Sequence, residues 1–155
     1  MEWLESSWLA ESVRQSLWLY PLLEILHILS FSILFGAVFL FDLRLLGFSR
    51  RLPITALAKH LFPWVYLSFG GTILTGFCLF IVDATAIAAN LAFRLKLLLI
   101  LLAAINAAVY QKSVSKSSQK WNVGVSSPTK VKAIALISLI LWTAVIGSGR
   151  LIAYL

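Results

Sequence analysis

Four long apolar runs dominate the chain from residue 17 onward, and short segments between them hold most of the charge. A helix needs ~20 apolar residues to cross ~30 Å of hydrocarbon. The first run, Leu17 to Phe41, meets that length with only Glu24 and His27 ionisable besides Tyr20. The second, Leu61 to Val82, contains no ionisable group except Tyr66 and the thiol of Cys78. The third is shorter, Leu97 to Val109, and Asn106 interrupts it. It reaches a full crossing if the helix begins near Asn90 and Arg94 and Lys96 extend their charged ends to the surface. The fourth runs from Ala133 to Gly149 and continues past Arg150 to Leu155. With their polar edges the predicted spans cover about residues 17–43, 61–82, 91–111 and 132–154. The pattern predicts an all-α polytopic membrane protein, a single four-transmembrane-helix bundle over residues 1–155.

The connections differ in character. Gly47 to Pro53 combines helix breakers with Arg50 and Arg51 and reads as a loop. Asp83 to Asn90 is a short link with polar ends, and Lys112 to Lys132 is the longest connector, rich in Ser and Lys, with the composition of a flexible linker. The first sixteen residues set Trp3, Leu4 and Trp8 among Glu and Ser, which predicts a short amphipathic helix on the membrane surface. A secretory signal has a basic start and a small-residue cleavage site. Met1 to Glu5 shows neither, so the first apolar run is expected to remain in the protein.

Composition agrees with this reading: 61% of residues are hydrophobic and 12% charged, where a soluble domain carries about 25% charged. The net charge of +7 would suggest nucleic acid in a soluble protein. Here the basic residues lie in short loops without room for a nucleic-acid face, and they orient the chain against anionic lipid. Nine of them (Arg44, Arg50, Arg51, Lys59, Lys112, Lys116, Lys120, Lys130, Lys132) fall on one side and four (Arg14, Arg94, Lys96, Arg150) on the other. Because basic loops resist translocation, both termini are expected outside the inner membrane. The lone Cys78 reads as packing.

Polar groups inside a span are costly and therefore carry the candidate chemistry. His27 lies ten residues into the first run, roughly 15 Å deep, and Glu24 precedes it by three positions on nearly the same face. Either His27 bridges helices by hydrogen bonds, or it ligates a metal-bearing cofactor or relays protons, with Glu24 on its second nitrogen. Arg94, Lys96 and Arg150 fall in the same half of the bundle, where they could bind carboxylates of a porphyrin or a quinone-like head group or simply snorkel to the surface. His60 is expected half a bilayer away, too far to share one haem iron with His27, and reads as interfacial. Asp42 is expected to pair with Arg44, Arg51 or Lys59 and fix the loop. Ser68, Thr72 and Gly76, with Ala103/Ala107 and Ala104/Ala108, repeat small residues at four-residue spacing, a pattern that lets helices approach closely. Asn106 is expected to form an interhelical hydrogen bond. No phosphate-binding loop, zinc-type His/Cys spacing or nucleophile elbow is present, so nothing points to a hydrolase.

Taken together, His27, Gly36 and Asp42-Leu43-Arg44-Leu45-Leu46-Gly47, then Pro63-Trp64, Thr75-Gly76, Phe93-Arg94-Leu95-Lys96, Asn106 and Gly149-Arg150-Leu151-Ile152-Ala153-Tyr154, resemble a small bacterial four-helix membrane family of unknown function. The resemblance covers most of the chain and implies fold and compartment without an activity. In that pattern a histidine often follows the third helix, where this chain has Gln111. More distantly, His27, Arg44-Leu45 and Lys96 resemble positions in HemJ-type protoporphyrinogen oxidases, with Leu43 where that type has proline, and the chain is also similar to CopD-like copper-resistance domains.

Three functional expectations follow. The first is haem b or porphyrin bound in the outer half with a redox role, His27 as metal ligand, and Glu24, Arg94, Lys96 and Arg150 completing the cofactor site. The second is a non-enzymatic small transporter or metal-handling protein, although the chain is poor in the Met and Cys that copper(I) prefers. The third is an accessory subunit or homo-oligomer packed among other membrane proteins. The sequence leaves open whether the protein is an enzyme.

Overall fold

A computed structural model describes residues 1–113 and 123–154, all helix and connection without a strand among them. The expected flexibility of the Lys112 to Lys132 connector falls largely outside the described residues. Two short helices, α1 (Glu2–Glu5) and α2 (Trp8–Gln15), precede four long ones: α3 (Leu19–Leu46), α4 (Ile54–Phe80), α6 (Leu91–Ser113) and α7 (Thr129–Leu151). All four are long and apolar enough to cross a membrane. Leu26, Ile28, Leu67, Leu74, Leu101 and Ile140 are among many large apolar side chains left exposed, a surface that only lipid makes favourable. The chain is a multi-pass membrane protein.

Each helix ends where its sequence supplies a reason. α3 stops at Gly47, whose left-handed backbone (φ 110°) lets Gly47 N–H bond Arg44 C=O and Phe48 N–H bond Leu43 C=O, the two bonds of a Schellman cap. Arg44, 2% exposed, then holds the loop closed by donating to the Leu52 carbonyl at 2.8 Å and the Arg50 carbonyl at 3.1 Å. α4 begins seven residues before the apolar run, because Pro53 starts a helix whose first turns, Thr55 to His60, emerge from the apolar zone. Asn90 caps α6 by accepting from the N–H groups of Ala92 and Phe93, and its Nδ2 donates to Ile152 C=O, tying α6 to the end of α7. The Asp83 to Asn90 link is helical: a 3-10 turn at Ile81–Asp83 and α5 at Ala84–Ala89. The N-terminal segment is helical as expected. Ser7 caps α2 through the Ala10 N–H, and α2 buries Ala10 and Val13.

Packing is uneven around the bundle. α3 packs on α4 and α7, and α7 packs on α6, which makes an open arc ordered α4–α3–α7–α6. The edges of the arc touch at two places: Gln111 Nε2, near the end of α6, donates to the Tyr66 hydroxyl midway along α4 at 2.7 Å, and the Phe80 and Phe93 rings stack at 5.3 Å. Between these ties α4 and α6 are not a packed pair among the described residues. The tightest core, Phe41, Leu45, Ile54, Tyr110, Val131 and Ala135, closes the end that carries the basic loops. α1, α2 and α5 cover the other end, where both termini lie.

Candidate functional site

Polar side chains face the bundle interior in two layers. Nearest the termini, His27 Nδ1 lies 2.9 Å from the Thr75 hydroxyl oxygen. Thr75 donates its proton to the Gly71 carbonyl at 2.7 Å, which leaves its oxygen to accept from the ring in the Nδ1–H tautomer, and the ring also meets the Thr72 backbone. Gly76 makes room for the ring, since a Cβ there would stand 3.0 Å from His27 Cε1. Gly71 does the same for Ser30, whose oxygen would meet a Cβ at 2.9 Å. Lys96 comes in from α6, half-buried, its Nζ passing over Gly149 and within electrostatic range of His27. Among the described residues Nζ has no hydrogen-bonding or ionic partner.

The other predicted members of this site point elsewhere. Glu24 is exposed, and the imidazole meets the Thr75 hydroxyl and the Thr72 backbone instead. Arg94 is exposed and donates to the Ala88 carbonyl at 2.9 Å. Arg150 is exposed, bonds the Tyr154 hydroxyl at 3.0 Å and lies over its ring. His60 is exposed near the start of α4, away from His27 as expected. Of the five cofactor-binding candidates, the structure brings His27 and Lys96 together in the interior. No group of three or more His, Cys, Asp or Glu suited to a metal occurs among the described residues.

The open space lies further along the same stripe. A cavity of about 360 Å³ begins at Leu34, seven residues and about 10 Å beyond His27, and runs towards the basic-loop end. Its walls are mainly apolar, including Phe41, Phe62, Phe69 and Trp142. Ala103, Ala104, Ala107 and Ala108 line it too; Ala103 is buried in the bundle, whereas Ala104, Ala107 and Ala108 stay exposed and leave volume. The polar groups at the cavity are Asp42, Tyr66, Asn106, Tyr110, Gln111 and Ser138. Asn106 donates to the Ile134 carbonyl at 3.1 Å, the interhelical bond expected of it.

Asp42 departs from expectation. It is 4% exposed and forms no ion pair with Arg44, Arg51 or Lys59; its hydrogen-bonding side chain is Ser138, and Oδ2 has no hydrogen-bond partner among the described residues. The carboxyl faces the cavity and α7, whereas the Arg44 guanidinium faces loop carbonyls. Loop fixing therefore belongs to Arg44. A signal for this was present in the sequence: Val38, Phe39, Leu45 and Leu46, the helical neighbours three and four positions away, give Asp42 no base on its own helix.

A family model matches residues 1–155, the whole chain. The chain belongs to DUF6644, a family of unknown function. No curated protein and no solved structure matches it. The DUF6644 chain thus combines an established four-helix fold with two interior features, the His27–Lys96 layer and the Asp42 cavity, that its family description leaves without a role.

Proposed function

We propose that this DUF6644 protein binds a lipophilic small molecule that enters from the bilayer between α4 and α6. One observation carries the reading: a cavity of about 360 Å³ lies by the gap between α4 and α6, the two edges of the arc, which are not a packed pair among the described residues. Ligand pockets are typically ~300–1,000 Å³, mostly apolar, with a few polar groups that orient the guest. Apolar walls suit a molecule already dissolved in lipid, and binding needs no route through water. Of the expectations, the non-enzymatic small transporter stands nearest to this reading. Charge asymmetry supports an inner-membrane orientation with both termini outside.

Ala104→Trp tests the reading, because an indole there fills the cavity from α6. Wild type purified in mild detergent is expected to show a bound lipophile by native mass spectrometry, and Ala104→Trp to lose it while keeping its helical circular dichroism. Equal retention by the two proteins, or no bound species in wild type after incubation with membrane extract, would overturn it.

A second reading has its own support. In the Nδ1–H tautomer His27 bonds Thr75 through Nδ1 and has Nε2 as the nitrogen to offer an iron, and Lys96 offers a cation for a propionate. Haem b or porphyrin would then sit at the termini end, with a redox role. Purified protein titrated with haem should develop a Soret band that His27→Ala abolishes and His60→Ala keeps. A wild type that stays colourless removes this reading.

A further inference from the structure

We infer that the cavity selects an amphiphilic organic cation, its ammonium group held by Asp42 and its apolar body lying towards Leu34 and Trp142. The inference rests on the cavity being a binding site and adds the class of its guest. Several observations converge on it. Asp42 is 4% exposed, lines the cavity and has one carboxylate oxygen without a partner among the described residues. A buried carboxylate is stable only when paired or well hydrogen-bonded, and a single Ser138 hydroxyl falls short of that. Asp42 is the only acidic residue in the chain between Glu24 and Asp83, in the part that carries Arg44, Arg50, Arg51 and Lys59. It pairs with none of them, so the surrounding protein leaves its charge for something else.

Depth fits as well. α3 has 28 residues and is about 42 Å long, so it overshoots ~30 Å of hydrocarbon at both ends. Asp42, four residues from the C-terminal end of α3, falls near the level of the lipid head groups. Leu34, about 12 Å away along the helix, falls within the hydrocarbon. A guest with its charge at Asp42 and a chain of about ten carbons towards Leu34 matches both environments without moving its head group out of the interface. The gap between α4 and α6 admits such a molecule sideways.

Decylamine and decanol, matched in chain length, separate charge recognition from cavity filling. Both are offered to purified protein at equal micellar mole fraction and counted by native mass spectrometry. Wild type is expected to bind decylamine about tenfold more tightly than decanol, a charge-assisted bond being about twice as strong as a neutral one. Asp42→Asn should bind the two equally, and Asp42→Glu should keep the preference for the amine. Equal binding of both by wild type, or an undiminished amine preference in Asp42→Asn, overturns the inference and leaves the cavity reading standing. If wild type takes up neither probe, both fall. Helical circular dichroism and a single gel-filtration peak establish that each variant is folded.

Discussion

Asp42 and His27 show how differently two polar side chains can be held inside one bundle. His27 is provided for: Thr75 accepts from one nitrogen, Gly76 clears space for the ring, and the remaining nitrogen is a weak demand on its surroundings. Asp42 is not, because one of its oxygens has no partner among the described residues and Ser138 alone hydrogen-bonds the carboxyl there. Leaving a buried acceptor unsatisfied costs about 1–3 kcal/mol, and more when it is charged. A carboxylate kept for structure would make Asp42→Asn destabilising. A carboxylate kept for a guest predicts the reverse: the amide keeps the shape and the Ser138 contact without the charge. The Asp42→Asn protein, free of ligand, should therefore be at least as stable as wild type, with a gain of up to about 2 kcal/mol. Unfolding in mixed micelles with rising dodecyl sulfate measures this, and a loss above about 1 kcal/mol would make Asp42 structural.

Among the elements, the N-terminal helices are attached most lightly. α1 and α2 pack on the 3-10 turn and α5, and one polar clamp holds the contact: Thr85 N–H donates to the Glu5 carboxylate at 2.6 Å. Arg14 backs it by bonding the Glu5 carbonyl. The Thr85 backbone bond, joined by its side-chain bond and the Arg14 charge, holds the Glu5 carboxyl below its ordinary value of 4.5. A depressed carboxyl pKa stabilises the docked form above the undocked pKa and loses that contribution as pH falls through the docked one. Docking should thus be insensitive to pH from neutrality down to about 4.5 and weaken below it. Fluorescence of Trp3 and Trp8 followed from pH 7 to about 3 should report the release. Glu5→Gln, which keeps an acceptor but cannot titrate, should flatten that part of the curve. An unchanged acid transition in Glu5→Gln would assign the release to another group.

At the scale of the whole molecule, the sequence was legible wherever hydropathy alone decides. Runs of apolar residues specify four crossings, because a backbone in lipid must satisfy its own hydrogen bonds. Asn90 could be placed at the start of the third helix, and Gly47 beyond the first. Helix ends were less legible where turns leave the apolar zone, as at Ile54. The site was least legible, because it depends on which faces meet. Glu24 and His27 share a face by spacing, yet the ring turns to Thr75; Arg94 and Arg150 share a half of the bundle but reach local oxygens. The alanines of α6 read as packing; Ala103 is buried accordingly, while Ala104, Ala107 and Ala108 stay exposed at the cavity, since small residues allow an approach without requiring one. What remains to be set against the membrane is direction. The basic residues of the 47–53 loop and of the connector before α7 should stay in the cytoplasm, since each Lys or Arg in a short loop opposes translocation. Single cysteines at Ser126 and Ala86, both exposed, can be placed in a Cys78→Ser background. In intact cells an impermeant maleimide should label position 86 and spare position 126, which should react only after the membrane is permeabilised. The opposite result would invert the protein and put the Asp42 end of the cavity on the outer face, where any cationic guest would have to be drawn from the outer leaflet.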